Sequence, residues 1–287
     1  MISCITPCSS PIANHAKEPD SFTDSMEKLI SKAESLPGCA DTDPAKHKEN
    51  LQSCLKALAS SGCWSCEQGE NNNRNTAVAM QAIAENVFIN QLEKDKDSRL
   101  SIIIHTNHPP TPLCVESKEE IATRADTFLN PMIRNDRAAQ STVTSRIETN
   151  QQFLNAGNQV DFCSLFGTPR EHKQDQDIFD EKVAANPSLF AHQMVENPEE
   201  DLSGATYIFK DSQGKKLTFG VRITQADTPS KKCSLFLSRN ENDKKHAPYL
   251  HKLVDYIDKN IKALPDDNSV SGRAKQYELQ NLRRLII

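Results

Sequence analysis

The segment RLSIIIHT, residues 99–106, constrains the fold of this chain more than any other. It is short, apolar and rich in isoleucine, without polar alternation, so it predicts a strand buried on both faces within a sheet. A strand of that kind needs neighbours, and it is expected to join the sheet that the C-terminal part of the chain predicts.

That C-terminal part has a period of two. ATYIFKDSQGKKLTFGVRITQ, residues 205–225, reads as two strands of β-branched and aromatic residues joined through DSQG, where Gly214 supplies the positive φ of a hairpin loop. Leu217, Phe219, Val221 and Ile223 alternate with polar residues, which buries one face. KKCSLFLSR predicts a third strand, with ADTPSK as its connector. An amphipathic helix follows from Pro248 through Leu250, Leu253, Val254, Ile257 and Ile261, and a last helix carries Leu279, Leu282 and Leu285.

The preceding two-thirds are helical in pattern. Phe22, Met26, Leu29, Ile30, Ala33 and Leu36 predict a helix over 23–36; Leu51, Cys54, Leu55 and Leu58 predict a second, ending before Gly62. Met80, Ile83, Ala84, Val87, Phe88 and Leu92 mark a third, beyond the polar EQGENNN. Ser117 and Glu120 make a capping box for a helix that Pro131 ends; a further helix covers about 140–155, and helical segments split at Pro187 follow over 177–197. The fold class is therefore α+β: a mostly helical N-terminal two-thirds with one buried strand, and a C-terminal three-stranded antiparallel meander packed with helices. Three regions follow: a disordered leader at 1–20, a predominantly helical region at 21–200, and the meander with its helices at 201–287, which is either separate from 21–200 or one domain with it.

Composition bounds function by exclusion. The 287 residues suffice for a core without disulfides, and a 37% hydrophobic content goes with a mean hydropathy of −0.61, polar but not disordered throughout. The net charge of −5 is spread without any basic run, so no nucleic-acid partner is expected. No apolar stretch predicts a membrane span, and the first twenty residues lack the basic and apolar regions of a secretory signal. Nine scattered cysteines then favour reduced thiols over a disulfide framework.

The leader MISCITPCSSPIANHAKEPD, rich in Ser, Thr, Asn, Ile and Pro and without an acidic residue before Glu18, resembles the uncleaved leaders of bacterial type III secreted effectors. The resemblance covers about twenty residues, and it implies secretion into a host cytoplasm. CSLFLSRNENDKKHAPYLHKLVDYIDKNI, residues 233–261, also resembles the strand, polar loop and helix near the end of the phosphothreonine lyase effectors. The catalytic lysine and histidine of that family have no counterpart in KKLTFGV, so no site is carried over.

Two constellations carry possible chemistry. Cys63 and Cys66 form a C-x-x-C, and His105 and His108 an H-x-x-H after the buried strand; together they offer four ligands to zinc. No other cofactor is expected. The same Cys66 with His105 or His108, or Cys163 with His172 or His192, could supply a cysteine nucleophile and its base. The alternative for SSGCWSCEQGE is structural: Gly62 ends a helix, Cys63 closes onto Leu58, and Trp64 covers the helix end. Thioredoxin-like chemistry at this C-x-x-C is not expected, because the polar EQGENNN delays the next helix. Cys233 and Arg239 have the spacing of a cysteine phosphatase loop, but the residues between them alternate as a strand and lack glycines. The D-x-D triplets beginning at Asp41, Asp95 and Asp175 read as solvated loops, and no phosphate-binding or dinucleotide motif occurs. The functional expectation is an effector that binds a host protein through the helical region, with a cysteine enzyme modifying a host protein and a zinc-stabilised cytosolic protein as the alternatives. Its oligomeric state is open.

Overall fold

The computed structural model describes residues 21–39, 43–67, 71–106, 149–167 except 150 and 154, parts of 181–194, 203–223, 232–239, 247–264 and 269–286. The leader, His108, Cys114, His172 and the helix expected after Ser117 lie outside these residues.

Helices α1 (Ser21–Lys32) and α2 (Pro44–Ser61) precede strand β1 (Cys63–Glu67). Helix α3 (Asn71–Lys94) leads into β2 (Arg99–Thr106), and β3 (Val160–Phe166) and β4 (Leu189–Gln193) follow. Strands β5 (Gly204–Lys210), β6 (Lys216–Ile223) and β7 (Lys232–Ser238) come next, then α4 (Ala247–Ala263) and α5 (Val270–Ile286).

The seven strands form one mixed sheet in the order β1-β7-β6-β5-β2-β3-β4. This corrects the expectation of one buried strand beside a three-stranded meander. The meander β5-β6-β7 is present and antiparallel, but β2 pairs antiparallel with β5 and parallel with β3, so it joins that sheet from the inside. Three strands escaped the sequence reading for separate reasons. β1 is five residues long with a single large apolar side chain. β3, VDFCSLF, has too little polar alternation to announce a period. β4, LFAHQ, lies where a helical pattern was expected, because five residues are too few to separate the two periods. The sheet takes strands from both sides of residue 200, so the regions 21–200 and 201–287 share it.

Alternation along the strands divides the core in two. Leu100, Ile102 and Ile104 of β2, Val160 and Phe162 of β3, Tyr207 and Phe209 of β5 and Leu235 and Leu237 of β7 pack with α1, α2 and α3. Ile103, Cys163, Leu165, Ile208 and Phe236, on the opposite face, pack with Leu253, Val254 and Ile257 of α4 and Leu279, Leu282 and Ile286 of α5. Helices therefore cover both faces, which is why RLSIIIHT needs no polar side. Each large apolar side chain so buried contributes about 2 kcal/mol.

Phe88 of α3 joins the first core together. Its ring lies 5.0 Å from Phe22, 5.8 Å from Tyr207 and 5.8 Å from Phe209. These are the offset and tilted separations that aromatic pairs prefer.

The hairpin between β5 and β6 turns through Asp211–Lys215, with Gly214 at φ 81° as expected. The Asp211 carboxylate accepts from the backbone N–H groups of Gln213 and Lys215 at 3.0 and 2.7 Å. Asp95, at the end of α3, accepts from the Ser212 backbone N–H at 3.0 Å, and hydrogen bonding from Ser212, its side chain first and then its backbone N–H, holds the Asp95 carboxyl below the usual range. The second D-x-D triplet thus ties the hairpin to the turn before β2. In the first triplet Asp43 caps α2, accepting from the Ala45 N–H at 2.9 Å.

At the second core, Gly220 sits directly opposite Phe236. A Cβ there would lie 1.7 Å from the Phe236 ring, so the ring occupies the space a side chain would fill. Gly220→Ala is expected to destabilise the protein by about 1–3 kcal/mol through forced repacking, and thermal unfolding of the purified variant checks this. A melting temperature within a degree of the parent would count against the packing described.

Candidate functional site

The stretch SSGCWSCEQGE begins as the cap reading expects. Gly62 stands at φ 72°, and its N–H donates to the Leu58 carbonyl at 2.9 Å, closing α2 in the left-handed conformation that glycine adopts without a Cβ clash. The bond is the simple αL closure and not the Schellman pair. Cys63 is exposed, so it does not close onto Leu58. Trp64 instead packs against the first core, to which Leu58 belongs.

From Cys63 the chain runs straight into β1, an outer strand that among the described residues pairs only with β7. Helix α3 then starts at Asn71, within the asparagines expected to delay it. In an extended strand, residues three apart point to opposite faces of the sheet. Cys63 pairs with Phe236 and Cys66 with Cys233, whose side chains belong to the two different cores. The two thiols of the C-x-x-C therefore do not face each other.

His105 is the last but one residue of β2, which lies four positions from β1 in the sheet. At about 4.8 Å per strand the separation is about 19 Å, and His105 faces the core opposite to that of Cys66. One zinc ion with ligands at about 2 Å does not span this. Among the described residues no group of three or more His, Cys, Asp and Glu could hold a metal ion. The pairing of Cys66 with His105 as nucleophile and base fails on the same distance.

The structure brings His105 nearer to Cys163. Ile103 of β2 aligns with Cys163 of β3, and His105 aligns with Leu165 two positions on, so both lie on one face of adjacent parallel strands. His192 occupies the matching position on β4, opposite Leu165. This is the edge where β2, β3 and β4 all end, the edge at which open sheets of parallel strands commonly bind ligands. Cys163 is nonetheless sealed, 1% exposed, and His105 is fully buried with Nε2 3.5 Å from the Thr206 hydroxyl.

Neither candidate nucleophile is activated. Burial pushes the Cys163 thiol well above its ordinary range, and the Glu278 carboxylate adds to the shift. The Cys66 thiol is pushed up first by its hydrogen bond with the Cys233 thiol and then by burial. Reactive cysteines have the opposite environment, an electropositive one that favours thiolate.

Sequence reading missed one polar cluster altogether. Gln81 and Glu85, one turn apart on α3, face the Tyr207 hydroxyl of β5, and all three are at most 2% exposed. The Gln81 amide donates to the Tyr207 oxygen at 2.6 Å and to Glu85 Oε1 at 3.2 Å, while the Tyr207 hydroxyl donates to Glu85 Oε1. The signal was available: Gln81 and Glu85 fall among the apolar positions of α3, which leaves that helix almost without a polar side. Buried polar groups of this kind are kept only where they satisfy each other.

The chain has no significant match among protein-family models, curated proteins or solved structures. The functional reading rests on the residues themselves.

Two measurements check this arrangement. Iodoacetamide at neutral pH should modify Cys63 rapidly in the folded protein and Cys54, Cys66 and Cys163 slowly, the difference vanishing in denaturant; fast labelling of Cys66 or Cys163 would restore the nucleophile reading. Tyr207→Phe removes a donor to Glu85 and an acceptor for Gln81, and should lower stability in urea unfolding by about 1–3 kcal/mol.

Proposed function

We propose that the protein is a bacterial effector that acts in a host cytosol by binding a host protein. The observation that carries the binding reading is on α5. The large hydrophobic side chains that stand exposed among the described residues are Val270, Tyr277 and Leu285, at 80%, 63% and 37%, and all belong to this helix. Val270 and Tyr277 are one heptad apart, on the line opposite Leu279, so α5 has a buried apolar face and an open one. Apolar and aromatic side chains grouped on one exposed helix line are the kind of surface by which proteins meet partners.

The helix is held in place to present it. Arg283 grips both oxygens of Asp258 on α4, at 2.8 and 2.9 Å, and Leu279, Leu282 and Ile286 anchor the inner side. Arg273 and Arg284 stand exposed on the same helix, which suits a partner surface carrying acidic groups. The surface thus favoured is the C-terminal helix, not the region 21–200. The leader composition supports the secreted and host-cytosolic part of the reading. No helix among the described residues is long and apolar enough to cross a membrane.

The test uses a photo-crosslinking residue at position 277, with exposed Lys56 of α2 as the control position, in host-cell lysate. A single host protein should crosslink at 277 and not at 56, and Tyr277→Asp should weaken its binding to the purified full chain at least about tenfold, the loss of one contact residue of ~1.4 kcal/mol. Equal crosslinking at both positions, or an unaffected Tyr277→Asp variant, would overturn the assignment. Cys66→Ala and Cys163→Ala are expected to leave the binding intact. Fused to a reporter, residues 1–20 should direct its type III secretion.

A further inference from the structure

The second cysteine of the C-x-x-C has a partner, though not the one its spacing suggests. Among the described residues β1 is bound to the sheet through β7 alone, and its register sets Cys66 directly opposite Cys233. Just before that strand, the Leu237 N–H donates to the Gly62 carbonyl at 2.8 Å, continuing the same register. Gly62 and Leu237 are thus a hydrogen-bonded pair, and such pairs alternate along an antiparallel ladder, so Trp64–Leu235 and Cys66–Cys233 are hydrogen-bonded pairs as well.

Residues of a hydrogen-bonded pair lie about 5.5 Å apart at Cα, and disulfides most often join Cα atoms about 5.5–6 Å apart. Both side chains are on the face that carries the first core, and the Cys66 sulfur already sits 3.7 Å from the Cys233 carbonyl oxygen. The two positions differ in access. Cys66 is half-buried on an outer strand, whereas Cys233 is fully buried. We propose that Cys66 and Cys233 form a reversible cross-strand disulfide when the protein meets a hydroperoxide.

The step balances as follows for hydrogen peroxide. The Cys66 sulfur, after losing its proton, attacks one peroxide oxygen and breaks the O–O bond, leaving Cys66 as sulfenic acid and releasing hydroxide, which takes up the proton. The Cys233 sulfur then attacks the sulfenic sulfur, forming the S–S bond and breaking the S–O bond, and the departing hydroxide takes the Cys233 proton. Two thiols lose two electrons, and the peroxide becomes two waters. Of the two, Cys66 is attacked, since it is half-buried where Cys233 is fully buried, and slowly, because its thiol is not activated; Cys233 resolves it. The bond fastens the outer strand to its neighbour and, through Gly62, the end of α2.

Among the described residues two other cysteines are near in sequence or space, and they define the competing outcomes. Cys63 lies across Phe236 on the other face. Cys54 of α2 is buried in the same core and close enough to act on the Cys66 charge.

The experiment treats the reduced full chain with millimolar hydrogen peroxide, blocks remaining thiols, and maps disulfide-linked peptides by mass spectrometry. The expected product joins the peptides of Cys66 and Cys233, disappears with dithiothreitol, and survives Cys54→Ala. Oxidised protein should melt at least about 5 °C above reduced protein, since the bond closes a long loop. In Cys233→Ser, Cys66 should instead be trapped as sulfenic acid by dimedone. A link from Cys66 chiefly to Cys54 or Cys63, Cys66 oxidised to sulfinic acid beside a free Cys233, or Cys66 left unoxidised would each overturn the proposal. The first measurement is made on the unaltered protein, so it decides even where Cys233→Ser does not fold.

Discussion

Strand β2 is the member of the sheet on which the others depend. It hydrogen-bonds to β5 on one side and β3 on the other, and six consecutive residues from Leu100 to His105 are buried. A strand buried on both faces is stable only inside a sheet that is covered above and below. That requirement explains the helices on both faces. It also explains why the antiparallel meander and the parallel pair β3-β4 belong to one sheet: β2 is the strand at which direction changes, and neither half has another interior neighbour to close against.

Helix α3 meets the demand on one face, with Phe88 over Tyr207 and Phe209. The same contact contains the Gln81–Glu85–Tyr207 cluster, so an aromatic, largely apolar interface is also where a carboxyl and an amide lie buried. Such a cluster contributes less to net stability than to specificity. Any sliding of α3 by one turn along the sheet would separate Glu85 from its hydroxyl donor and leave polar atoms without partners, a cost several times the gain of the original bonds. Aromatic packing alone would tolerate such shifts more readily.

Most elements with a long, regular period were legible in the sequence. The helices α1 to α5 and the β5-β6-β7 meander follow from apolar spacing, although α1 ends at Lys32, short of the expected residue 36, and Gly62 and Gly214 mark the ends that their backbone geometry requires. What was not legible were the short strands and everything that depends on strand neighbours. β1 and β4 have five residues each, too few to separate a period of two from one of 3.6. The placement of Cys66 and His105 was not legible for a related reason: spacing along the chain says nothing about the order of strands across a sheet, and β1 and β2 lie four positions apart. Likewise the exposed line on α5 was not legible, because the apolar spacing of Leu279, Leu282 and Leu285 marks the helix without showing which of its side chains stay open, and Leu285 is among the exposed ones.

The C-x-x-C shows how the local conformation decides what a motif means. On a turn or at a helix start, Cys63 and Cys66 could share a metal or a redox bond, since their side chains would converge. Extended, the same three-residue spacing sends them to opposite faces, and each acquires the chemistry of its own surroundings. Cys63 is turned to solvent, beside the end of α2; Cys66 is directed towards buried Cys233, 167 residues further along the chain, with its sulfur on that residue's carbonyl oxygen. The pairing that matters is therefore set by the ladder between β1 and β7, so anything that pulls β1 from the sheet edge separates the thiols, and joining them holds that edge in place.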